Sequence, residues 1–229
     1  MTKEFLKIGH RGACGYEPEN TLLSFKKAIE LNVDMIELDV HVCKTGEVVV
    51  IHDDKVDRTT DGKGYVAKKT FQKIRTLDAG KGQKIPILQE VLDMVDRKAK
   101  INIELKGKGT AKPVFGIIEK YVKEKRWSYD DFLISSFNRH ELQKFYQLNP
   151  KVRLGILIAR PTTRFERFAK KINAYSVNAR IDLVNKDFIN NVRKKRLKVF
   201  VWTVNDFKDI ERMKLLEVDG IFSDFPDRL

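Results

Sequence analysis

Two kinds of hydrophobic pattern alternate along this chain. Short runs with apolar residues at every position or every second one occur at Phe5 to Gly9, Met35 to Val40, Ile101 to Leu105, Phe132 to Phe137, Arg153 to Ile158, Ala174 to Val177, Val199 to Val204 and Gly220 to Ser223. These predict eight strands. Between them apolar residues recur every third or fourth place, as in Leu22, Phe25 and Ile29, or in Ile210, Met213 and Leu216 with Glu211 and Lys214 turned outward. That spacing predicts amphipathic helices. Strand and helix in regular alternation place the chain in the α/β class, with parallel strands joined by right-handed crossovers. Eight such units predict a (β/α)8 TIM barrel, and the doubly wound sheet is the competing arrangement.

One stretch breaks the rhythm. Residues 48–88 hold an extra extended run at Val48 to Ile51, a turn at Asp61-Gly62-Lys63-Gly64 and a short helix begun by Thr70. They read as a small insertion after the second strand of one barrel domain spanning residues 1–229. The chain stops at Phe225-Pro226-Asp227-Arg228-Leu229, so the eighth helix is expected to be truncated.

Composition narrows the class. With 229 residues, 42% apolar and 34% charged, the chain is neither disordered, collagen-like nor a disulfide framework, and it can bury one substantial core. The formal net charge of +13 directs attention to anionic partners: nucleic acid, acidic lipid or a phosphorylated small molecule. The densest basic cluster, Arg193-Lys194-Lys195-Arg196 with Lys198, ends a predicted helix. Cations there meet the negative end of the helix dipole, so it reads as a solvated helix end before it reads as a nucleic-acid patch. Cys14 and Cys43 have no zinc spacing, and the opening residues lack the apolar stretch of a signal peptide, so a cytoplasmic location is expected. No run approaches the roughly 18 apolar residues of a spanning helix. Weak association with an anionic membrane surface remains compatible with the charge.

The chemistry lies in polar residues inside the strands. In Met35-Ile36-Glu37-Leu38-Asp39-Val40 a period of two puts Glu37 and Asp39 on one face and the aliphatic residues on the other. The aliphatic face meets the helices, which points both carboxylates toward the barrel axis near the C-terminal end of the strand, where barrel active sites are built. The same alternation in Ile101-Asn102-Ile103-Glu104-Leu105-Lys106 sends Asn102, Glu104 and Lys106 inward. Unpaired charges there would cost several kcal/mol, so they need a cation or counter-charges. Three carboxylates suit a hard divalent cation, Mg²⁺, Mn²⁺ or Ca²⁺, and an ion-pair network with Lys106 and Arg11 fits the spacing equally.

His10 follows the first strand and His52 closes the extended run that begins at Val48. With an ordinary pKa of about 6.5, one neutral and one protonated histidine at a strand-end site can serve as general base and general acid, although a lone histidine is also a common hydrogen-bonded structural residue. His41, expected in a loop, and His140, at a helix start, are weaker candidates. Arg11 offers a planar fork and Lys106 a point charge to phosphate oxygens, or both pair the carboxylates. Gly107 and Gly109 around Lys108 offer backbone amides for a phosphate, a weak signal taken alone.

Taken together, Gly9-His10-Arg11-Gly12, Pro18-Glu19-Asn20-Thr21, Glu37-Leu38-Asp39-Val40, Val50-Ile51-His52-Asp53 and Arg58-Thr59-Thr60-Asp61-Gly62 make the chain resemble the glycerophosphodiester phosphodiesterases. The likeness continues through Ile85-Pro86-Ile87-Leu88, Glu104-Leu105-Lys106, Ser135-Ser136-Phe137, Trp202-Thr203-Val204-Asn205 and Asp219-Gly220-Ile221, nearly the whole chain. The resemblance implies metal-dependent hydrolysis of a small glycerophosphodiester, such as glycerophosphocholine or glycerophosphoethanolamine, to glycerol 3-phosphate and an alcohol. It also implies a divalent cation on Glu37, Asp39 and Glu104, acid and base roles for His10 and His52, and phosphate contacts from Arg11 and Lys106. Trp202 sits where the family places an aromatic near the substrate, and packing alone accounts for it equally well. Departures fall outside these residues: Cys14 replaces a common serine, His41 a longer polar residue, and Cys43-Lys44-Thr45-Gly46 lacks the usual Asp before its glycine. Free thiols are expected over a Cys14 to Cys43 disulfide.

Two alternatives stand beside this reading. A lysophospholipase D shares the phosphodiester chemistry on a substrate with an acyl chain, and the basic surface would suit it. A catalytically silent barrel would instead bind RNA or acidic lipid, with no use for five titratable groups gathered at one barrel mouth.

Overall fold

The structure is a computed structural model, and it describes residues 5–161 and 165–229. The elements run β1 (Leu6–Gly9), α1 (Leu22–Glu30), β2 (Met35–Val42), β3 (Val48–Val50), α2 (Phe71–Thr76), α3 (Leu88–Val95), β4 (Lys100–Leu105), α4 (Ala111–Glu124) and β5 (Phe132–Ser136). They continue through α5 (Arg139–Leu148), β6 (Arg153–Ile158), α6 (Phe165–Lys171), β7 (Ser176–Arg180), α7 (Lys186–Lys194), β8 (Lys198–Trp202), α8 (Phe207–Leu215) and β9 (Gly220–Ser223). All strands but β3 pair in parallel, and the pairing of β1 with both β2 and β9 closes them into an eight-stranded barrel. Among the described residues no helix is long and apolar enough to cross a membrane.

The alternation in β2 and β4 separates two environments. Ile36, Leu38, Val40, Ile101, Ile103 and Leu105 belong to the apolar layer between strands and helices, where Phe25, Leu92, Val114 and Phe145 meet them. Each such side chain contributes about 1.5–3 kcal/mol by leaving water. The inward residues divide along the axis. Ile8, Met35, Leu133, Phe200 and Phe222 fill the lower part of the barrel, and the acidic residues lie above them toward the strand C-termini. The parallel register sets Glu37 beside Asn102 and Asp39 beside Glu104, so two neighbouring strands deliver their carboxylates at matching heights.

Residues after β2 leave the barrel rhythm. β3 runs antiparallel to the end of β2, pairing Val40 with Val50 and Val42 with Val48. Val49, Ile51, Val56, Val66, Ile74, Leu77 and Ile85 form an apolar cluster of their own, and the Thr70 hydroxyl caps α2 by accepting from the Lys73 amide. This added layer carries His52 to the barrel mouth. After β9, the last barrel strand, the described residues form a single short helical turn at Pro226–Arg228 in place of a helix.

Two elements differ from the expectation. His41 lies in β2, paired with Val49, because the antiparallel partner extends that strand beyond the barrel rim. β7 runs Ser176–Arg180 where the apolar pattern suggested Ala174 to Val177. Its inward positions are polar, with the Ser176 hydroxyl donating to Asn178 Oδ1 at 2.7 Å inside the barrel, and this hides the strand from a hydrophobicity argument.

Candidate active site

Glu37, Asp39 and Glu104 are buried, at 3%, 1% and 9% exposure, and offer ligand oxygens that all lie within 4.8 Å of one another. Each is held from a different direction. Glu37 Oε2 accepts from the Arg11 amide at 2.8 Å. Asp39 Oδ2 accepts from Asn20 Nδ2 at 2.9 Å, and Asn20 Oδ1 accepts in return from the Asp39 amide. Glu104 Oε1 lies 3.1 Å from Lys106 Nζ.

Both readings of the acidic residues are therefore visible: a compact carboxylate triad, and two cations against it. Arg11 Nε lies 3.4 Å and Lys106 Nζ 3.9 Å from Asp39. Two positive charges leave three carboxylates one negative charge in excess. Burial together with the neighbouring Asp39 and Glu104 charges pushes the Glu37 carboxyl well up. Burial and Asp39 bring Glu104 up to about 7, with Lys106 opposing. Asp39 is held below the usual range because Lys106, Arg11, His52 and the Asn20 amide outweigh its burial. Asp39 Oδ1 is buried without a hydrogen bond. An all-oxygen donor set with excess negative charge and an orphaned carboxylate oxygen fits a hard divalent cation.

The two histidines open onto the same cavity as Glu37 and Glu104, each with its Nδ1 against a carboxylate. His52 Nδ1 is 2.6 Å from Asp53 Oδ1, and His10 Nδ1 is 2.6 Å from Asp224 Oδ1. An ionised carboxylate accepts, so each ring carries its proton on Nδ1 and keeps Nε2 as the basic nitrogen. Lys106 Nζ donates to His52 Nε2 at 3.0 Å, which requires a neutral ring. Burial lowers the His52 pKa against the opposing pull of Asp39 and Asp53, and the cations Lys106 and Arg11 lower it further. His10 is fixed in the backbone as well, its amide donating to Ser223 O at 3.0 Å.

A second layer ties His52 to the cations. Arg58 donates to both Asp53 and Glu19, and Glu19 accepts from Arg11 at 2.9 Å, so a continuous chain of charges runs from His52 to the Arg11 guanidinium. Glu19, Asn20, Asp53 and Arg58 stand in the sequence motifs without an evident role. Asp224 gives no sequence signal at all, since it meets His10 only because β9 closes the barrel against β1. The backbone before α1 is tightly constrained. Arg11 and Gly12 both have positive φ, 50° and 86°, and a Cβ on Gly12 would collide with Ser24.

A cavity of about 100 Å³ opens above the carboxylates, lined by His10, Arg11, Glu37, His52, Glu104, Lys106 and Trp202, with Asp39 within ion-pair reach of Arg11 and Lys106. All eight sequence candidates thus meet at one place. At the rim Trp202 stands edge-on to Phe137, with centroids 5.7 Å apart, and the indole N–H donates to Asn178 O. Phe137 is 46% exposed. His140 is exposed on α5, outside the cavity, and His41 turns its Nε2 to the His52 carbonyl at 3.1 Å. The Gly109 amide donates to buried Glu141, as does that of Ala111, so this loop does not offer the phosphate cradle its glycines suggested. Cys14 and Cys43 are both free thiols.

Residues 10–228 match the model of the glycerophosphoryl diester phosphodiesterase family. The chain is 38% identical over 234 residues to a glycerophosphodiester phosphodiesterase of Caldanaerobacter subterraneus subsp. tengcongensis, covering 98% of this chain and 96% of that one. It is 38% identical over 242 residues to one of Bacillus altitudinis, covering 100% and 96%. Among solved structures it superposes on an Oleispira antarctica phosphodiesterase in complex with the product sn-glycerol-3-phosphate, with a TM-score of 0.90 at 26% identity over 99% of this chain and 95% of that one.

Proposed function

The chain belongs to the glycerophosphoryl diester phosphodiesterase family, and on that premise we propose that it hydrolyses small glycerophosphodiesters, such as glycerophosphocholine and glycerophosphoethanolamine, to glycerol 3-phosphate and the free alcohol in the cytoplasm, all within one catalytic domain. The observation that carries this reading is the meeting in one cavity of two carboxylate-anchored histidines, carboxylates of the triad, Arg11 and Lys106.

Glu37, Asp39 and Glu104 hold a Mg²⁺, Mn²⁺ or Ca²⁺ ion, which when bound supplies Lewis acidity at a phosphate oxygen. Arg11 binds the phosphate while its guanidinium stays braced by Glu19 and Asp39. Lys106 turns from His52 toward the developing charge and so frees His52 Nε2 for proton transfer. One histidine takes a proton from the nucleophile at its Nε2, and the other gives a proton to the departing alkoxide. Asp53 and Asp224 keep both rings in the orientation and tautomer that this needs. The nucleophile is water or the substrate's own glycerol hydroxyl, and trapping a cyclic phosphate with a slowed variant distinguishes the two. Trp202 and Phe137 form the apolar side of the mouth where the alcohol half leaves.

The test is glycerol 3-phosphate release from the choline and ethanolamine diesters with Mg²⁺, Mn²⁺ or Ca²⁺, against EDTA. Turnover that EDTA abolishes is expected. Absence of turnover with all three ions would refute the proposal, and release of the headgroup from lysophosphatidylcholine instead would transfer it to the lipid substrate.

A further inference from the structure

A second set of ligand atoms lies on the other side of His10. His10, Cys14 and Asp224 each offer one donor atom, and these lie within 4.8 Å of one another. His10 Nδ1 and Cys14 Sγ converge on the same oxygen, Asp224 Oδ1, at 2.6 and 2.9 Å. The other oxygen is held by Asn205 Nδ2 at 2.6 Å, and Asn205 Oδ1 accepts in turn from the Asp224 amide and the Ser223 hydroxyl. Such outer support of a carboxylate is characteristic of metal ligands. The His10 and Asp224 side chains are 18% and 26% exposed, so an ion can reach them from solvent.

The donor set differs in kind from the neighbouring triad. One imidazole nitrogen, one thiol sulfur and one carboxylate oxygen suit Zn²⁺ and other thiophilic cations and are poor ligands for Mg²⁺ or Ca²⁺. At present two protons bridge the donors. Zn–N of about 2.0 Å and Zn–S of about 2.3 Å imply donor separations somewhat above three ångströms, so the cluster must open by less than about 1 Å to admit the ion.

We propose that His10, Cys14 and Asp224 form a second metal site, selective for Zn²⁺ and related thiophilic cations, whose occupation stops the reaction by capturing His10. The ion binds His10 Nδ1, Cys14 Sγ and Asp224 Oδ1, with water as a fourth ligand. The thiol proton leaves to solvent, the proton on Nδ1 is exchanged through solvent for one on Nε2, and no electrons are transferred. Net, one proton is released. With Nδ1 on the metal and N–H at Nε2, the ring offers the cavity no basic nitrogen and can no longer ionise to an acid there. The binding stands apart from the proposed function, and only the inhibition rests on it.

The experiment uses the whole chain in excess Mg²⁺, which fills the oxygen site, titrated with Cd²⁺ as a spectroscopic probe and with Zn²⁺ for inhibition. A thiolate-to-metal charge-transfer band that saturates at one equivalent is expected in the wild type and in Cys43→Ser, and its loss in Cys14→Ser. No band in the wild type, or a band that follows Cys43 instead of Cys14, overturns the site. With each rate expressed relative to the same variant without zinc, half-inhibiting Zn²⁺ should rise at least about tenfold in Cys14→Ser. Equal zinc sensitivity of wild type and Cys14→Ser overturns the inhibitory role. A Cys14-dependent band in a protein without turnover upholds the site and counts only against the proposed reaction.

Discussion

Replacing Glu104 with glutamine should stabilise the metal-free protein at pH 8, although it removes a charge that lies 3.1 Å from Lys106. Burial and the Asp39 charge bring the Glu104 carboxyl up to about 7 from an ordinary 4.5, a net figure that already includes the attraction of Lys106. The folded chain therefore binds this proton more tightly than the unfolded chain does. Its contribution to stability is fully present below about pH 4.5 and is lost as pH rises to about 7, above which the ionised group only costs. At about 1.4 kcal/mol for each tenfold change in proton affinity, the ceiling on that cost is about 3 kcal/mol, and side-chain relaxation brings it nearer 2. For a chain of this length that amounts to a rise in melting temperature of about 4–8 °C. Denaturant titration in EDTA, followed by the fluorescence of Trp127 and Trp202, should show the variant ahead at pH 8 and the gap closing by pH 5. Saturating Mg²⁺ or Ca²⁺ should reverse the order, since an ion at a hundredfold excess over its Kd stabilises the wild type by about 2.7 kcal/mol and the variant has lost a ligand. A variant less stable than the wild type at pH 8 in EDTA would refute the reasoning, for it would mean that Lys106 already balances the triad.

Three other substitutions probe the surroundings. Asn20→Ala removes the donor on Asp39 Oδ2 and the acceptor for its amide, and should weaken divalent-cation binding about 10–100-fold; calorimetric Ca²⁺ titration giving an unchanged affinity would contradict this. Asp53→Asn takes away an anion that favours the protonated His52 ring, so the limb of the pH–rate profile due to His52 should move to lower pH, and an unmoved limb in both directions of the profile would count against that pairing. Gly12→Ala puts a Cβ into Ser24 at a φ of 86°, and should cost at least about 1–3 kcal/mol in chemical denaturation, whereas wild-type stability would show that the turn relaxes freely.

The barrel was legible because its strands obey a simple rule: aliphatic residues outward and a few charges inward, as in β2 and β4. The same rule located Glu37, Asp39 and Glu104, since carboxylates at alternate positions of an otherwise aliphatic strand have nowhere to go but the barrel axis. It misplaced β7 because Ser176 and Asn178 satisfy each other inside the barrel, which removes the hydrophobic signal. It left His41 in a loop because the extension of β2 depends on β3, a partner that only the fold supplies. The buttresses of the site were hidden for the same reason. Asp224 lies 214 residues from His10, and Glu19 lies 39 from Arg58, so neither contact has a local pattern to announce it. The loop at Gly107 and Gly109 misled in the opposite direction, because the Gly107 amide donates to Val40 O and buried Glu141 on α5 had already taken that of Gly109.

The central claim, that two histidines divide the acid and base work on a glycerophosphodiester, is tested most directly by comparing leaving groups. Turnover of His10→Ala and His52→Ala is measured on glycerophosphocholine and on the 4-nitrophenyl ester of glycerol 3-phosphate, whose phenolate departs without a proton. Both variants should lose about 10²–10⁴-fold on the choline diester. On the nitrophenyl ester one of them, the variant lacking the general acid, should return to within about tenfold of the wild type, while the other stays slow. Losses below tenfold in both variants on the choline diester, or equal losses on the two substrates in both variants, would contradict the account.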